Sequence, residues 1–458
     1  MEKVYQKNEE SKANPPSIIS IRNLLNQRWF VVILALMLTG FAAAFTGVLF
    51  KAGIHTLENW KFTLLEELPA LIVLPLLGGI GGLISGLLIS NLAPSAGGSG
   101  VTQIMAYLSH QYVPMGLKVG LVKLVAGIIA IGSGFPLGPE GPSVQMGGSI
   151  AWKLAKWLKA PRAFRRVIVA AGGGAGIAAI FSAPIGGFIY AIEELLNSAR
   201  PVVLLLVVVT TFWADTWADV LQSIGLDPSA GGFDKYLGFQ LERTYTPLVQ
   251  FFPGDLVYLI ILGIVIGVLA ELYSSYVLKM QRKGNQWFKD KLVIRMASCG
   301  IVLGFMYAFL PSEYHDLTEL QKIIGSGEAD INVALGTFFI LFLTTGLAAA
   351  SGAPGGLFYP MLTLGGAIGL ACGNWVETLT GHVPTTFIFA GMGAFVAACS
   401  RTPITAMFLA FALTKDLLIL KPILVTSLTS FLIARLFNEK SIYERQIAIE
   451  FKNEHQNL

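Results

Sequence analysis

The sequence predicts an all-α, multi-pass membrane protein built as an inverted repeat of two halves with broken and re-entrant helices. Three observations predict it. Apolar runs recur along nearly the whole chain, near 29–50, 70–93, 117–131, 167–192, 202–221, 256–278, 292–310, 333–350, 361–373, 387–413 and 417–437. Gly/Pro-rich breaks interrupt them where a plain crossing would carry none. The two halves also match each other in near-constant register, with opposite charge at equivalent loops.

Composition sets the class. With 54% hydrophobic and 13% charged residues and a mean hydropathy of +0.65, the chain falls outside ordinary soluble enzymes, in which about a quarter of residues are charged. Several runs reach the roughly 20 residues that a bilayer crossing needs, and the shorter ones suit broken helices. A net charge of +4 suggests no nucleic-acid surface. Cys299, Cys372 and Cys399 sit in apolar surroundings without metal-ligand spacing and read as buried thiols; no metal or cofactor is implied. His55, His110, His315, His382 and His455 lie near segment ends and read as solvated.

In chain order, residues 1–28 are polar with both charge signs, a cytoplasmic N-terminal segment without the pattern of a cleaved signal. The first membrane half spans 29–222. Its first break, 93–100 (APSAGGSG), holds Ser99 between glycines, a hydroxyl donor where backbone can approach a ligand closely. The second, 132–148 (GSGFPLGPEGPSVQMGG), carries a single acid, Glu140. Gly costs a helix interior about 1 kcal/mol and Pro about 3 relative to Ala. Inside a bilayer, non-helical backbone survives only where protein buries it or it lines an aqueous cavity. Pro in a first turn ahead of an apolar run therefore marks a helix that begins at the break. Such a half-helix aims unpaired N–H groups and roughly half a positive charge at what precedes it, an anion site that Glu140 at the same start could fill as a tethered carboxylate. A basic stretch follows, Lys153 to Arg166, then a Gly/Ala-rich helix over 170–180, FSAPIGG at 181–187, and an apolar run ending in Glu193-Glu194. Residues 223–252 read as the linker, 253–437 as the second, inverted half, and 438–458 as a short tail carrying Tyr443, too short for a soluble domain.

Shifted by 218, residues 132–157 lie on 350–375, with identities that include Ser133/Ser351, Gly138/Gly356, Pro142/Pro360, Gly147/Gly365 and Trp157/Trp375. One residue further, Gly172 meets Gly391 and Pro184-Ile185 meets Pro403-Ile404. The basic stretch holds Lys153, Lys156, Lys159, Arg162, Arg165 and Arg166, whereas its counterpart near 371–384 has no Lys or Arg and carries Glu377. Cytoplasmic loops collect Lys and Arg, so the equivalent loops lie on opposite faces and the repeat is inverted. Inverted halves with broken helices are a transporter architecture, with the site near the midplane.

Three Gly-rich helix starts and one late aromatic complete the set: GSGV at 98–101, GPEGP at 138–142, GGLFYP at 355–360, and Tyr443 after Lys440. In this order they resemble the CLC family of chloride channels and transporters, whose patterns are GSGIP, GREGPxVQ, GxFxP and a late tyrosine. The resemblance covers essentially the whole membrane portion. It implies a CLC-type fold and a chloride/proton antiporter with a pore in each subunit of a homodimer, in a prokaryotic inner membrane with the N-terminus cytoplasmic. The implied partners are chloride, protons and the lipid bilayer. By position, Ser99 and Tyr443 would offer hydroxyls to a central anion, the N–H groups of Leu357 and Phe358 would complete its cage, and Glu140 would be the gating carboxylate. Glu194 falls on the inner proton-transfer position of the coupled members, with Glu193 supporting it. Their repeat counterparts are Leu413 and Ala412, so the pair is an addition to the scaffold.

The chain departs from the pattern in two places. Pro139 replaces the arginine before the gating glutamate, removing a cation from the outer mouth, and Val101-Thr102 replaces Ile-Pro. Serine is kept at Ser99, where nitrate-preferring relatives tend to carry proline, which favours chloride. A passive CLC-type chloride channel is the alternative, opposed by Glu194. Residues 97–100 also fit the GxSG motif of an intramembrane serine protease. That chemistry needs a base beside the serine, and no histidine lies within a long apolar run, so the chain reads as a non-enzyme.

Overall fold

A computed structural model describes residues 18–451 apart from 199, 225, 227–250, 290, 316, 328 and 382–383. Most of the predicted N-terminal segment and linker, the chain after 451, and His382 and His455 lie outside the described residues. Seven described helices are long and apolar enough to cross a membrane, and the chain is a multi-pass integral membrane protein.

The first half runs α1 (Ile18–Glu67), α2 (Ala70–Leu92), α3 (Val101–Leu108), α4 (Leu117–Gly132), α5 (Glu140–Trp157), α6 (Arg162–Phe181), α7 (Pro184–Tyr190) and α8 (Pro201–Ser223). α1 starts ahead of the predicted boundary at 29, since no Pro interrupts the chain after Pro16. The apolar run at 167–192 is two helices, because Ser182 takes a left-handed conformation (φ 45°) and Pro184 opens the next helix. α7 then passes into a π-helical turn, Ala191–Leu196, which carries Glu193 and Glu194.

The second half repeats this plan with α9 (Asp255–Phe288), α10 (Leu292–Ala308), α11 (Leu317–Gly325), α12 (Ile331–Ser351), α13 (Phe358–Thr380), α14 (Thr385–Ser400), α15 (Pro403–Thr414) and α16 (Leu420–Phe437). A last short helix, α17 (Ile442–Glu450), carries Tyr443. Arg401, equivalent to Ser182, is likewise left-handed (φ 64°) and likewise precedes a Pro-initiated helix.

The inverted repeat is visible at atomic scale. Gly138 and Gly356, equivalent at the shift of 218, form an antiparallel bridge: the Gly138 N–H donates to the Gly356 carbonyl at 2.9 Å and the reverse bond is 2.8 Å. A residue that pairs antiparallel with its own repeat counterpart puts a local two-fold axis between them. Glycine is required at the helix crossings on either side. A Cβ on Gly147 would strike the Gly172 carbonyl, and one on Gly365 would strike the Gly391 carbonyl, so α5 meets α6 as α13 meets α14. The halves also join through α2 and α10, where Gly78 and Gly300 touch backbone to backbone. Trp29 packs edge-on against Phe164 with ring centroids 5.3 Å apart, which sets the start of the first crossing on the same face as the basic stretch.

Candidate anion and proton site

The three Gly-rich helix starts meet at the repeat axis. A Cβ on Gly141 would strike the Ser99 carbonyl and come within 3.0 Å of the Gly356 Cα. The chain ahead of α3, the first turn of α5 and the strand-like approach to α13 are therefore in direct backbone contact. This needs three near-adjacent glycines, and the sequence has them at 100, 141 and 356.

Glu140 is fully buried. Its carboxylate does not cap its own helix. Oε1 accepts from the Phe358 N–H at 2.6 Å and the Tyr359 N–H at 3.4 Å, the orphan donors at the start of the 23-residue helix α13. The sequence reading put this carboxylate at the start of its own helix; it lies instead on the start of the other half's helix, and Phe358 is the repeat counterpart of Glu140, 218 residues away. Oε2 has no hydrogen-bond partner among the described residues.

The Ser99 and Tyr443 hydroxyls are both buried without a partner among the described residues, as donors awaiting a ligand would be. The Phe358 ring packs edge-on between two tyrosines, Tyr443 and Tyr190, each with its centroid 5.7 Å away. Tyr443 is held from outside the site. Ser441 and Glu444 cap its helix reciprocally, and Glu271 on α9 bridges Arg445 at 2.7 Å and Arg401 at 3.0 Å.

Two cavities approach this point from opposite sides of the glycine bridge. The larger, about 370 Å³, is lined by Ser99, Leu357, Gln281, Arg295 and Glu450 among others; the smaller, about 60 Å³, by Lys61, Pro139, His315 and Tyr359 among others. Leu137 belongs to both walls. Pro139, next to Glu140, lines the smaller cavity, and Leu357, next to its N–H donor Phe358, lines the larger, so the buried Glu140 carboxylate lies between them. His315, expected to be solvated, is half-buried and lines the smaller cavity.

The two inner acids part company. Glu193 reaches across to the start of α15, accepting from the Thr405 N–H and hydroxyl, each at 2.7 Å, and from the Ile404 N–H at 3.3 Å. It is a helix cap between the halves. Glu194 is buried, its Oε1 has no partner among the described residues, and it lines neither cavity. It lies on a π-helical turn, a distortion that tends to mark functional positions.

Sequence reading missed three groups. Tyr190, four residues before Glu194, is fully buried with an unpartnered hydroxyl; the (i, i+4) spacing was its only signal. Lys123 on α4 is fully buried and donates to the Gly98 carbonyl at 2.6 Å, bracing the turn that presents Ser99. It was visible as one of two lysines, with Lys118, inside an apolar run. Glu450 accepts from Thr102 at 2.7 Å and from Gln281 at 3.0 Å, tying α17 to α3 and α9, and nothing in its local sequence marks it.

This arrangement can be set beside known proteins. A protein from Yersinia pestis bv. Antiqua (strain Angola) named H(+)/Cl(-) exchange transporter ClcA is 29% identical over 449 residues, covering 93% of this chain and 90% of its own. The Vibrio parahaemolyticus serotype O3:K6 protein of the same name is 27% identical over 439 residues, covering 93% and 91%. A crystal structure of a slow cyanobacterial Cl−/H+ antiporter superposes with a TM-score of 0.79 at 25% identity, over 92% of this chain and 99% of that one. The family description "Voltage gated chloride channel" matches residues 81–435, both membrane halves from α2 to α16. The chain belongs to the voltage gated chloride channel family, the CLC family.

Proposed function

We propose that the chain is a chloride/proton antiporter that exchanges Cl− for H+ through a pore in each subunit. One observation carries this reading: a single buried carboxylate, Glu140, holds the N–H start of α13 in a wall that separates two cavities. While charged, it occupies the donors an anion would use. Protonation removes the charge that competes for them, so an anion can take its place and the carboxyl can swing away with its proton. One side chain thereby serves both substrates, which links their movements. The activity named for the bacterial relatives supports the same reading.

In this reading the anion is held by the hydroxyls of Ser99 and Tyr443 and the N–H groups of Leu357 and Phe358. Partial charges suit the task. An unpaired buried ion costs several kcal/mol, and dipoles offset that cost while leaving binding weak enough for release. Glu194 takes protons from the inner face toward Glu140, past the Tyr190 and Tyr443 hydroxyls, on a path beside the anion cavity. Apolar packing alone could not carry a proton there. Glu193 keeps the Glu194 turn in register with α15.

The N-terminus is cytoplasmic, since the basic stretch shares its face, and the setting is a prokaryotic inner membrane. Residues 29–222 and 253–437 act as the two transport halves, and the chain works as a homodimer. Chemical cross-linking in the bilayer checks the last point.

The test is a proteoliposome assay in which a chloride gradient is the sole driving force. Uphill proton movement is the expected result. Chloride flux without coupled proton movement makes the chain a passive channel.

A further inference from the structure

Pro139 leaves the smaller cavity without the arginine that the family pattern would put beside Glu140, yet the cavity is not without a cation. Lys61, near the end of α1, is 4% exposed and lines the same wall as Pro139 and Tyr359. Its ammonium stands 4.7 Å from the Phe62 ring, on the wall of the cavity it lines. Nearly complete burial of an ammonium is costly, and such groups are normally paired. A lysine on the wall of this small, mostly apolar cavity is a site for a small counter-ion. Glu58, one turn earlier, and His315 also line the cavity, so the wall is not uniformly basic. α1 starts at the face of the basic stretch, so Lys61 belongs to the opposite, outer side.

We propose that Lys61 forms an anion-recruiting site in the smaller cavity, holding a small monovalent anion such as chloride beside Pro139 before it reaches the Glu140 position. The cation lost at 139 is thus supplied from a different helix. The bonds of the Glu140 carboxylate go to the Phe358 and Tyr359 N–H groups and not to Lys61, so Lys61 raises the local anion concentration without competing with the gate. The proposal rests on the antiport reading for its role in exchange, though the anion site itself does not.

The test uses the purified full chain in vesicles, with initial chloride flux measured against chloride concentration in the outer bath. Lys61→Met is expected to raise half-saturating chloride on the order of tenfold, with the proton-to-chloride ratio at saturation unchanged. Lys61→Arg keeps the charge and should stay near wild type. Should Lys61→Met fail to give a monodisperse protein, Lys61→Gln carries the same expectation. Unchanged half-saturation in a folded neutral variant overturns the proposal. So does equal impairment of the Arg and neutral variants, since Lys61 would then serve only packing. If wild type moves chloride without protons, the antiport reading fails, while the half-saturation shift still decides the site.

Discussion

At equivalent positions the first half carries Glu140, Glu193 and Glu194, and the second carries Phe358, Ala412 and Leu413. The backbones around them nevertheless correspond closely. Both halves break at the glycine that bridges to its counterpart, both bring two helices together at facing glycines, and both enter a short Pro-led helix through a left-handed residue. Ser133 and Ser351 even close their helices alike, each hydroxyl donating to the carbonyl three residues back. One half supplies ionisable groups and the other the N–H groups they engage: Glu140 on Phe358, and Glu193 on Ile404 and Thr405. A symmetric scaffold gives two facing helix starts. Exchange of a proton for an anion needs those starts to differ, and Glu140, Glu193 and Glu194 are among the side chains that make them differ.

Variants can break that asymmetry, and the largest effects belong to the two central acids. Glu194→Gln should abolish proton movement while chloride flux and its dependence on Ser99 and Tyr443 persist; paired pH-electrode and chloride-electrode recordings check this. Glu140→Gln should likewise pass chloride without protons. Retained proton pumping in either variant would remove that residue from the shared route. Adding Leu413→Glu to Glu194→Gln should not restore coupling, because the second half offers that position no equivalent of Tyr190 and Glu140.

The next effect concerns an ion-pair network in the second half. Arg401 stands where the first half has Ser182, and with Arg445 it brackets Glu271. Glu271→Ala leaves two largely buried guanidinium groups without that carboxylate, at a cost of about 3–5 kcal/mol. The helix carrying Tyr443 would lose an anchor. Thermal unfolding in detergent should show the loss, and chloride affinity should fall with it.

Substitutions at the symmetric crossings sharpen the comparison from the opposite direction. Gly147→Ala and Gly365→Ala each push a methyl into a facing carbonyl. Each should destabilise by about 1–3 kcal/mol, the usual range for overpacking, and by similar amounts if the halves are equivalent as scaffolds. Thermal shift assays on the two variants would read any difference.

The smallest effect is expected at Glu193. Glu193→Gln keeps acceptor capacity for the Thr405 N–H and loses the charge, so stability should fall by about 1 kcal/mol or less and coupling should be largely retained. Loss of coupling as complete as in Glu194→Gln would make Glu193 a proton carrier and not a cap.

Much of this site was legible before the fold. Glu140, Ser99 and the 355–360 start lie in short Gly/Pro motifs whose composition makes little sense in an unbroken helix, and the repeat register placed Glu194 against Leu413. Lys61, Tyr190 and Glu450 were not legible. Each owes its role to a neighbour in another segment: Pro139 for Lys61, Phe358 for Tyr190, and Thr102 and Gln281 for Glu450. No local spacing encodes such a neighbour. The capping bond of Glu193 was not legible for the same reason, since its partner lies 212 residues away.

The sequence by itself determined the crossings, the breaks between them, the duplication and its inversion. These follow from local quantities: apolar run length against bilayer thickness, the cost of Gly and Pro in a helix, and Lys/Arg bias between loops. Tertiary structure alone decided that the two breaks pair with each other, that the Glu140 carboxylate lands on the opposite helix, and that Glu193 caps while the Glu194 Oε1 has no partner among the described residues. It also decided that a lysine from the first helix faces the cavity beside Pro139. These outcomes depend on which helix surfaces fit within an ångström, and helix-to-helix fit is set by glycine contacts hundreds of residues apart.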